Sequence, residues 1–304
     1  MLDTKQIVDI AWNNGFVIPA FNIPYLPMMK PVIEAIRDEN SFALVQVARL
    51  EWEKFESKSL KAVRDEYECW KDEKHVRLHL DHVPAIDEDA KIVDYMPIIN
   101  EAVELGYDSL MIDASRLSLE ENIEATKKVC AVAHQAGLAC EAELGAVLGH
   151  ESGPLPPYDE MFASGESFTK VDEAARFVAE TGCDWLSVAI GNIHGAISEA
   201  TRGQTKIAAK LDIQHLKKLK DITNIPLVLH GGSGIRNEYI IEAIKNGIAK
   251  INVGTEIRQA YEREAEKGDI EAGRKAVYLK TREIIKEHYR ISDTADIISS
   301  AGKE

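Results

Sequence analysis

The sequence predicts an α/β chain folded as a single-domain TIM (β/α)8 barrel. Three observations carry this expectation. Short β-rich runs alternate strictly with amphipathic helical stretches, which implies parallel strands joined by right-handed crossovers. Eight such units can be read in order, enough to close a barrel. No Pro/Ser/Gly-rich linker divides the 304 residues, of which 45% are apolar, so one large core is expected. An open doubly wound sheet is the rival, but its glycine-rich fingerprint would follow the first strand, where Phe21-Asn22-Ile23-Pro24 stands instead.

The expected strands are residues 16–23, 42–48, 76–82, 109–115, 139–145, 185–191, 226–232 and 249–255. Between them lie helical patterns over 87–105, 118–137, 171–182, 212–223 and 237–247. Ser118 with Glu121 has the spacing of a capping box, and Gly106, Gly137, Gly182 and Gly247 stand where helices should stop. Two long βα loops are expected, near 149–170 and 196–210; at the upper rim of a barrel such loops act as lids or substrate contacts. From about residue 256 a charged helical tail is expected to pack outside the barrel or against another subunit.

A net charge of −15 with dispersed basic residues argues against a nucleic-acid partner. The four cysteines show no CxxC spacing and read as free thiols in a reducing compartment. Without a signal-like N-terminus or a membrane-length apolar run, the chain is expected in the cytoplasm with no membrane partner.

Polar residues collect at the C-terminal strand ends, the rim that bears the active site in such barrels. In order they are Asn22, Asp81 with His82, Asp113 with Ser115, Glu143, Asn192 with His194, His230 with Ser233, and Asn252 with Thr255. Taken alone, each histidine also reads as a hydrogen-bonded core residue. Together, His82, His194 and His230 arrive from three strand ends and can converge on one metal ion. His79 lies two residues before Asp81, deeper in the barrel, and reads as structural. Strict alternation points Asp81 inward and His82 outward, so His82 can be a ligand only if the strand twists or ends there. Gly231-Gly232-Ser233-Gly234 and Asn252-Val253-Gly254-Thr255 follow strands seven and eight, where barrel enzymes hold phosphate on backbone N–H groups.

These motifs resemble the class II, metal-dependent ketose-bisphosphate aldolases, which include the fructose- and tagatose-bisphosphate enzymes. The resemblance runs collinearly from about Asn22 to Arg258. It passes through His79-Leu80-Asp81-His82, Met111-Ile112-Asp113, Glu141-Ala142-Glu143-Leu144-Gly145, Gly191-Asn192-Ile193-His194-Gly195, His230-Gly231-Gly232-Ser233-Gly234 and Lys250-Ile251-Asn252-Val253. It implies catalytic Zn²⁺, or another divalent ion, on His82, His194 and His230. It also implies Glu143 as an alternative ligand, Asp113 as a support, and a monovalent cation as a second ion. Asp81 matches the family's acid/base at the C4 oxygen, and Glu151 aligns with the carboxylate that moves the C3 proton. Gly195, Gly231, Gly232, Ser233, Asn252 and Thr255 match the phosphate cradle, Arg258 matches the residue on the distal phosphate, and Asn22 opens the matched stretch at the substrate end. The implied partner is a phosphorylated sugar, and the implied assembly is a homodimer or homotetramer.

The physical logic agrees with the resemblance. Cleaving the C3–C4 bond leaves an enediolate whose charge a divalent ion stabilises, while two carboxylates move the hydroxyl and carbon-bound protons. The competing Schiff-base chemistry would need a lysine at a strand end, and Lys250 is expected at the start of strand eight.

Departures from the family pattern bear on which substrate is taken. Ala48-Arg49 replaces the usual serine after strand two, and Gly254 stands where relatives have an aspartate that touches the acceptor aldehyde. Gly149-His150-Glu151 replaces an acidic pair, and Ala196-Ile197-Ser198 an aromatic–lysine pair. Retained aldol chemistry with altered acceptor specificity is therefore expected. Arg49 and Arg258 could clasp a distal sulfonate or carboxylate; the plain alternative for Arg49 is an ion pair with Glu51 or Glu53. A non-catalytic partner subunit of an aldolase is the remaining alternative, against which Asp81, Glu151 and all three histidines are retained.

Overall fold

The computed structural model of the chain describes residues 2–145, 158–192, 209–232 and 235–302. Helix α1 (Thr4–Asn14) starts on a capping box in which the Asp3 carboxylate accepts from the Gln6 N–H, and it stops at Gly15 in the left-handed conformation. Then follow β1 (Ile18–Asn22), α2 (Met29–Asp38), β2 (Ala43–Ala48), α3 (Arg49–Lys54), α4 (Leu60–Trp70) and β3 (Val76–Pro84). The middle of the chain gives α5 (Tyr95–Glu104), β4 (Ser109–Asp113), α6 (Leu119–Gln135), β5 (Ala139–Leu144), α7 (Tyr158–Ser164), α8 (Val171–Thr181) and β6 (Trp185–Val188). The last third supplies α9 (Ile213–Thr223), β7 (Leu227–Leu229), α10 (Asn237–Lys245), β8 (Ile248–Val253), α11 (Thr255–Ala265), α12 (Ile270–Glu283) and α13 (Thr294–Ala301).

The eight strands pair in parallel in chain order, and β8 closes on β1 with Ala20 opposite Asn252. The expected barrel is therefore present. Ser118 and Glu121 form their capping box, and Gly106, Gly137, Gly182 and Gly247 all have positive φ just past helix ends. One expectation needs shortening: the helix foreseen from residue 87 begins at Tyr95. The Asp87 carboxylate accepts the N–H groups of Asp89 and Lys91 and folds that stretch into a turn instead.

Apolar burial falls into two bodies. The larger lies between the strands and the surrounding helices. The smaller joins Ile7, Val8 and Ala11 of α1 to Ile18, Ala20, Leu44, Trp185 and Val228, so the first helix covers strand residues that the outer helices do not. The tail packs outward, with α12 against α2 and α11. Among the described residues no helix is long and apolar enough to cross a membrane, and all four cysteines are free thiols.

Candidate active site

The site begins with an irregularity in β3. Leu80 pairs with Leu110 and Val83 with Ile112, so β3 carries one residue more than β4 across the same span. His82 absorbs the extra residue with φ of +29°, a conformation that costs a β-region residue energy and that this bulge requires. Strict alternation is broken there. Asp81 and His82 consequently come together near His230: their ligand atoms and that of His230 lie within 4.8 Å of one another. The strand neither ends nor merely twists at His82, as the sequence suggested it must; it bulges and continues to Pro84.

Asp81 is buried and both of its carboxylate oxygens are engaged. Oδ2 accepts from Asn22 Nδ2 at 3.0 Å and Oδ1 from Asn252 Nδ2 at 2.9 Å. Each amide is itself oriented, because Gln46 Nε2 donates to Asn22 Oδ1 at 2.9 Å and Lys250 Nζ donates to Asn252 Oδ1 at 2.6 Å. Burial alone would push the Asp81 carboxyl upward, but the His82 and Lys250 cations hold it below its ordinary value.

The His82 and His230 rings lie 4.5 Å apart between centroids. His82 Nδ1 is 3.3 Å from Asp113 Oδ2, and Asp113 Oδ1 in turn accepts from the Ser115 N–H and hydroxyl. His230 is fully buried, with Nε2 2.9 Å from Glu141 Oε1 and Nδ1 3.0 Å from Glu143 Oε2. Burial disfavours the imidazolium of His82, yet the Asp81 charge and the Asp113 hydrogen bond carry it up to about 10. Burial and the His82 charge likewise oppose protonation of His230, and its hydrogen bonds to Glu141 and Glu143 raise it nonetheless. Burial pushes the Glu143 carboxyl up, whereas at Glu141 the same burial is outweighed by Lys250.

Two imidazoles among four carboxylates form a donor set that suits a divalent cation. Asp81, His82 and His230 form one such group, and the ligand atoms of His82, Asp113 and Glu143 also lie within 4.8 Å of one another. Asn192 braces the rim: its Oδ1 accepts from the Ile190 N–H, and its Nδ2 donates to the His230 carbonyl at 2.9 Å. Next to it, Gly191 has φ of +107°, and a Cβ there would stand 2.5 Å from the Lys210 carbonyl oxygen and from Phe162. The Tyr158 hydroxyl donates to the carbonyls of Gly191 and Lys210 and accepts from the Lys210 N–H at 2.7 Å.

The remaining candidates divide. Glu151, His194, Gly195 and Ser233 lie outside the described residues. Gly231 has φ of +67°, and a Cβ on Gly232 would press to 3.1 Å from Ile251. Thr255 is the first residue of α11. Arg258 donates to both Glu262 oxygens at 2.8 and 2.9 Å and stacks 5.1 Å over Phe55, the residue just after α3. Arg49 opens that same helix and pairs with Glu53 at 3.2 Å and Asp87 at 3.5 Å. Of its two anticipated surface partners only Glu53 is used.

Glu51 instead turns inward. It accepts the Ala48 N–H at 2.8 Å, and burial, with a further push from Asp81, raises its carboxyl to about 8. His79 is fully buried against Ser109 at 2.8 Å, and burial followed by the Lys250 charge lowers it to about 3, in keeping with a structural role. Lys250 corrects its expected position at the start of strand eight. It is the third residue of β8, fully buried inside the barrel and 2.9 Å from Glu141 Oε2, and so fully engaged rather than offered to a carbonyl substrate. Glu141, Gln46 and Glu51 were missed as site residues. For Glu141 the signal was present, since it stands two residues before Glu143 and period two puts both on one face.

The family model described as fructose-bisphosphate aldolase class-II matches residues 2–303. A fructose-bisphosphate aldolase of Streptococcus pneumoniae is 33% identical over 264 residues, covering 86% of this chain and 81% of that one. The crystal structure of the YdjI aldolase from Escherichia coli K12 superposes with a TM-score of 0.75 at 30% identity, covering 97% of this chain and 100% of that one. That of a fructose-bisphosphate aldolase from Campylobacter jejuni gives 0.71 at 19% identity over 96% of both chains, a likeness of fold.

Proposed function

The chain belongs to the class II fructose-bisphosphate aldolase family and is a lyase, and from that premise we propose that it is a Zn²⁺-dependent aldolase. In this reading it reversibly splits a ketose 1-phosphate or 1,6-bisphosphate into dihydroxyacetone phosphate and an aldehyde. The observation that carries the proposal is the β3 bulge, which delivers Asp81 and His82 side by side to the His230 ring. His82, His194 and His230 would hold the ion, with Glu143 as alternative ligand and Asp113 as support. Zn²⁺, when bound, supplies the positive charge that stabilises the enediolate.

The chain's own groups do the rest. Asp81, held in place by two oriented amides, takes the C4 hydroxyl proton in cleavage and returns it in condensation. Glu151 moves the proton at C3. Gly195, Gly231, Gly232, Ser233, Asn252 and Thr255 receive the phosphate, and Asn22 contributes to the same pocket. The same reading expects a cytoplasmic homodimer or homotetramer.

A second reading keeps the chemistry and changes the acceptor to one with a sulfonate or carboxylate terminus. It is favoured by Gly254, where a Cβ would come within 3.4 Å of Asn22 Oδ1, so the missing side chain is missing beside the site itself. Arg49 opens α3 and Arg258 stacks over Phe55, the residue that follows it, and in this reading the two would hold the distal anion. Activity toward fructose and tagatose bisphosphates, with and without a chelator, tests the first reading: cleavage undiminished after metal removal refutes it. A carboxylated or sulfonated ketose 1-phosphate turned over faster than both bisphosphates favours the second.

A further inference from the structure

We propose that Lys250 is a positioning residue through which one buried cation sets both the metal-binding imidazole of His230 and the proton-transferring carboxylate of Asp81. The inference rests on the aldolase reading and extends it to a group that touches neither substrate nor ion. Lys250 has no solvent exposure, and its ammonium has two partners. Toward one side it lies 2.9 Å from Glu141 Oε2, while Glu141 Oε1 lies 2.9 Å from His230 Nε2. Toward the other it donates to Asn252 Oδ1 at 2.6 Å, while Asn252 Nδ2 donates to Asp81 Oδ1 at 2.9 Å.

Each arm fixes an orientation that its end group cannot fix alone. The paired Glu141 carboxylate is an acceptor only, so it selects the His230 tautomer with the proton on Nε2 and turns Nδ1 toward Glu143. An asparagine amide can flip. With an ammonium on its oxygen, Asn252 must present its NH₂ to Asp81. Glu141 on β5 and Lys250 on β8 come from strands three apart around the barrel, and Lys250 and Asn252 share a face of β8 by period two. A lysine used only to neutralise a buried acid would not need the second arm.

The test reads the two arms separately. Zn²⁺ affinity is measured by competition with a chromophoric chelator and needs no substrate. At saturating Zn²⁺, the rate of aldol condensation of dihydroxyacetone phosphate with glycolaldehyde is divided by the rate of deuterium exchange at C3, which needs no acceptor and so does not draw on Asp81. Glu141→Gln is expected to weaken Zn²⁺ about 10- to 100-fold and leave the rate ratio in place. Asn252→Ala is expected to lower the ratio by about tenfold and leave Zn²⁺ affinity within about threefold. Lys250→Met should do both. Because it leaves a buried carboxylate unpaired and can compromise folding, Lys250→Met/Glu141→Gln, which removes both charges, carries the same expectation against Glu141→Gln as its reference for the ratio. A folded Lys250 variant that changes only one readout, or neither, overturns the proposal. Wild-type enzyme that catalyses no C3 exchange refutes the aldolase reading instead, and the Zn²⁺ measurement still decides whether Lys250 acts on His230.

Discussion

Glu51 gives the sharpest quantitative expectation. It is 8% exposed, and burial, reinforced by the Asp81 charge, raises its carboxyl from 4.5 to about 8 against the opposing Ala48 amide, Asn22 and His82. A carboxyl raised on folding is protonated in the native chain while the unfolded chain ionises, so native stability is full below the unfolded value. It is lost as pH climbs from about 4.5 to about 8, and the loss is constant above that. At pH 7 the unfolded group has passed its own value by about 2.5 units and the folded group has barely begun to ionise, so the penalty is about 3 kcal/mol. Glu51→Gln keeps an oxygen for the Ala48 N–H and removes the ionisation.

With an unfolding entropy of about 2 cal/mol/K per residue over 304 residues, a gain of that size raises the melting temperature by about 5 °C. The extra amide donor of glutamine costs part of this when it finds no acceptor, so 5 °C is an upper value. Calorimetry of metal-free wild-type and Glu51→Gln protein from pH 5 to pH 8 checks it. The two should melt almost together at pH 5 and separate steadily as pH rises. Equal melting temperatures at pH 7.5, or a separation independent of pH, would refute the argument.

Two further outcomes follow from the site. Asp81→Asn keeps the shape and the two amide neighbours but removes the proton acceptor; cleavage should fall about 10²- to 10⁴-fold while equilibrium dialysis shows Zn²⁺ still bound. Gly191→Ala places a methyl group 2.5 Å from the Lys210 carbonyl oxygen at a φ of +107°, so a loss of about 1–3 kcal/mol is expected in urea unfolding. Unchanged stability would show that the β6 exit can move aside.

The barrel was legible because strand and helix periods, caps and left-handed glycines are local, and each unit repeats them. The polar rim was legible for the same reason: strand ends can be counted. His82 was harder. Its inward turn depends on the register between β3 and β4, set by pairs such as Val83 with Ile112, and nothing between Leu80 and Val83 announces an extra residue. Lys250 was misplaced because its meaning comes from Glu141 on a distant strand, and a buried ion pair leaves no trace in hydropathy. Arg49 and Arg258 show the converse limit. A motif names the residue, but Asp87, Glu53 and Glu262 decide how much of its charge is left for a ligand.

The phenol of Tyr158 has a practical corollary for engineering. Its three bonds tie the start of α7 to Gly191, which follows β6, and to Lys210, which precedes α9. A donor sequence that replaces residue 158 therefore also rewrites the footing of those two chain positions. Transplants between relatives that reach any of the three residues should carry all three.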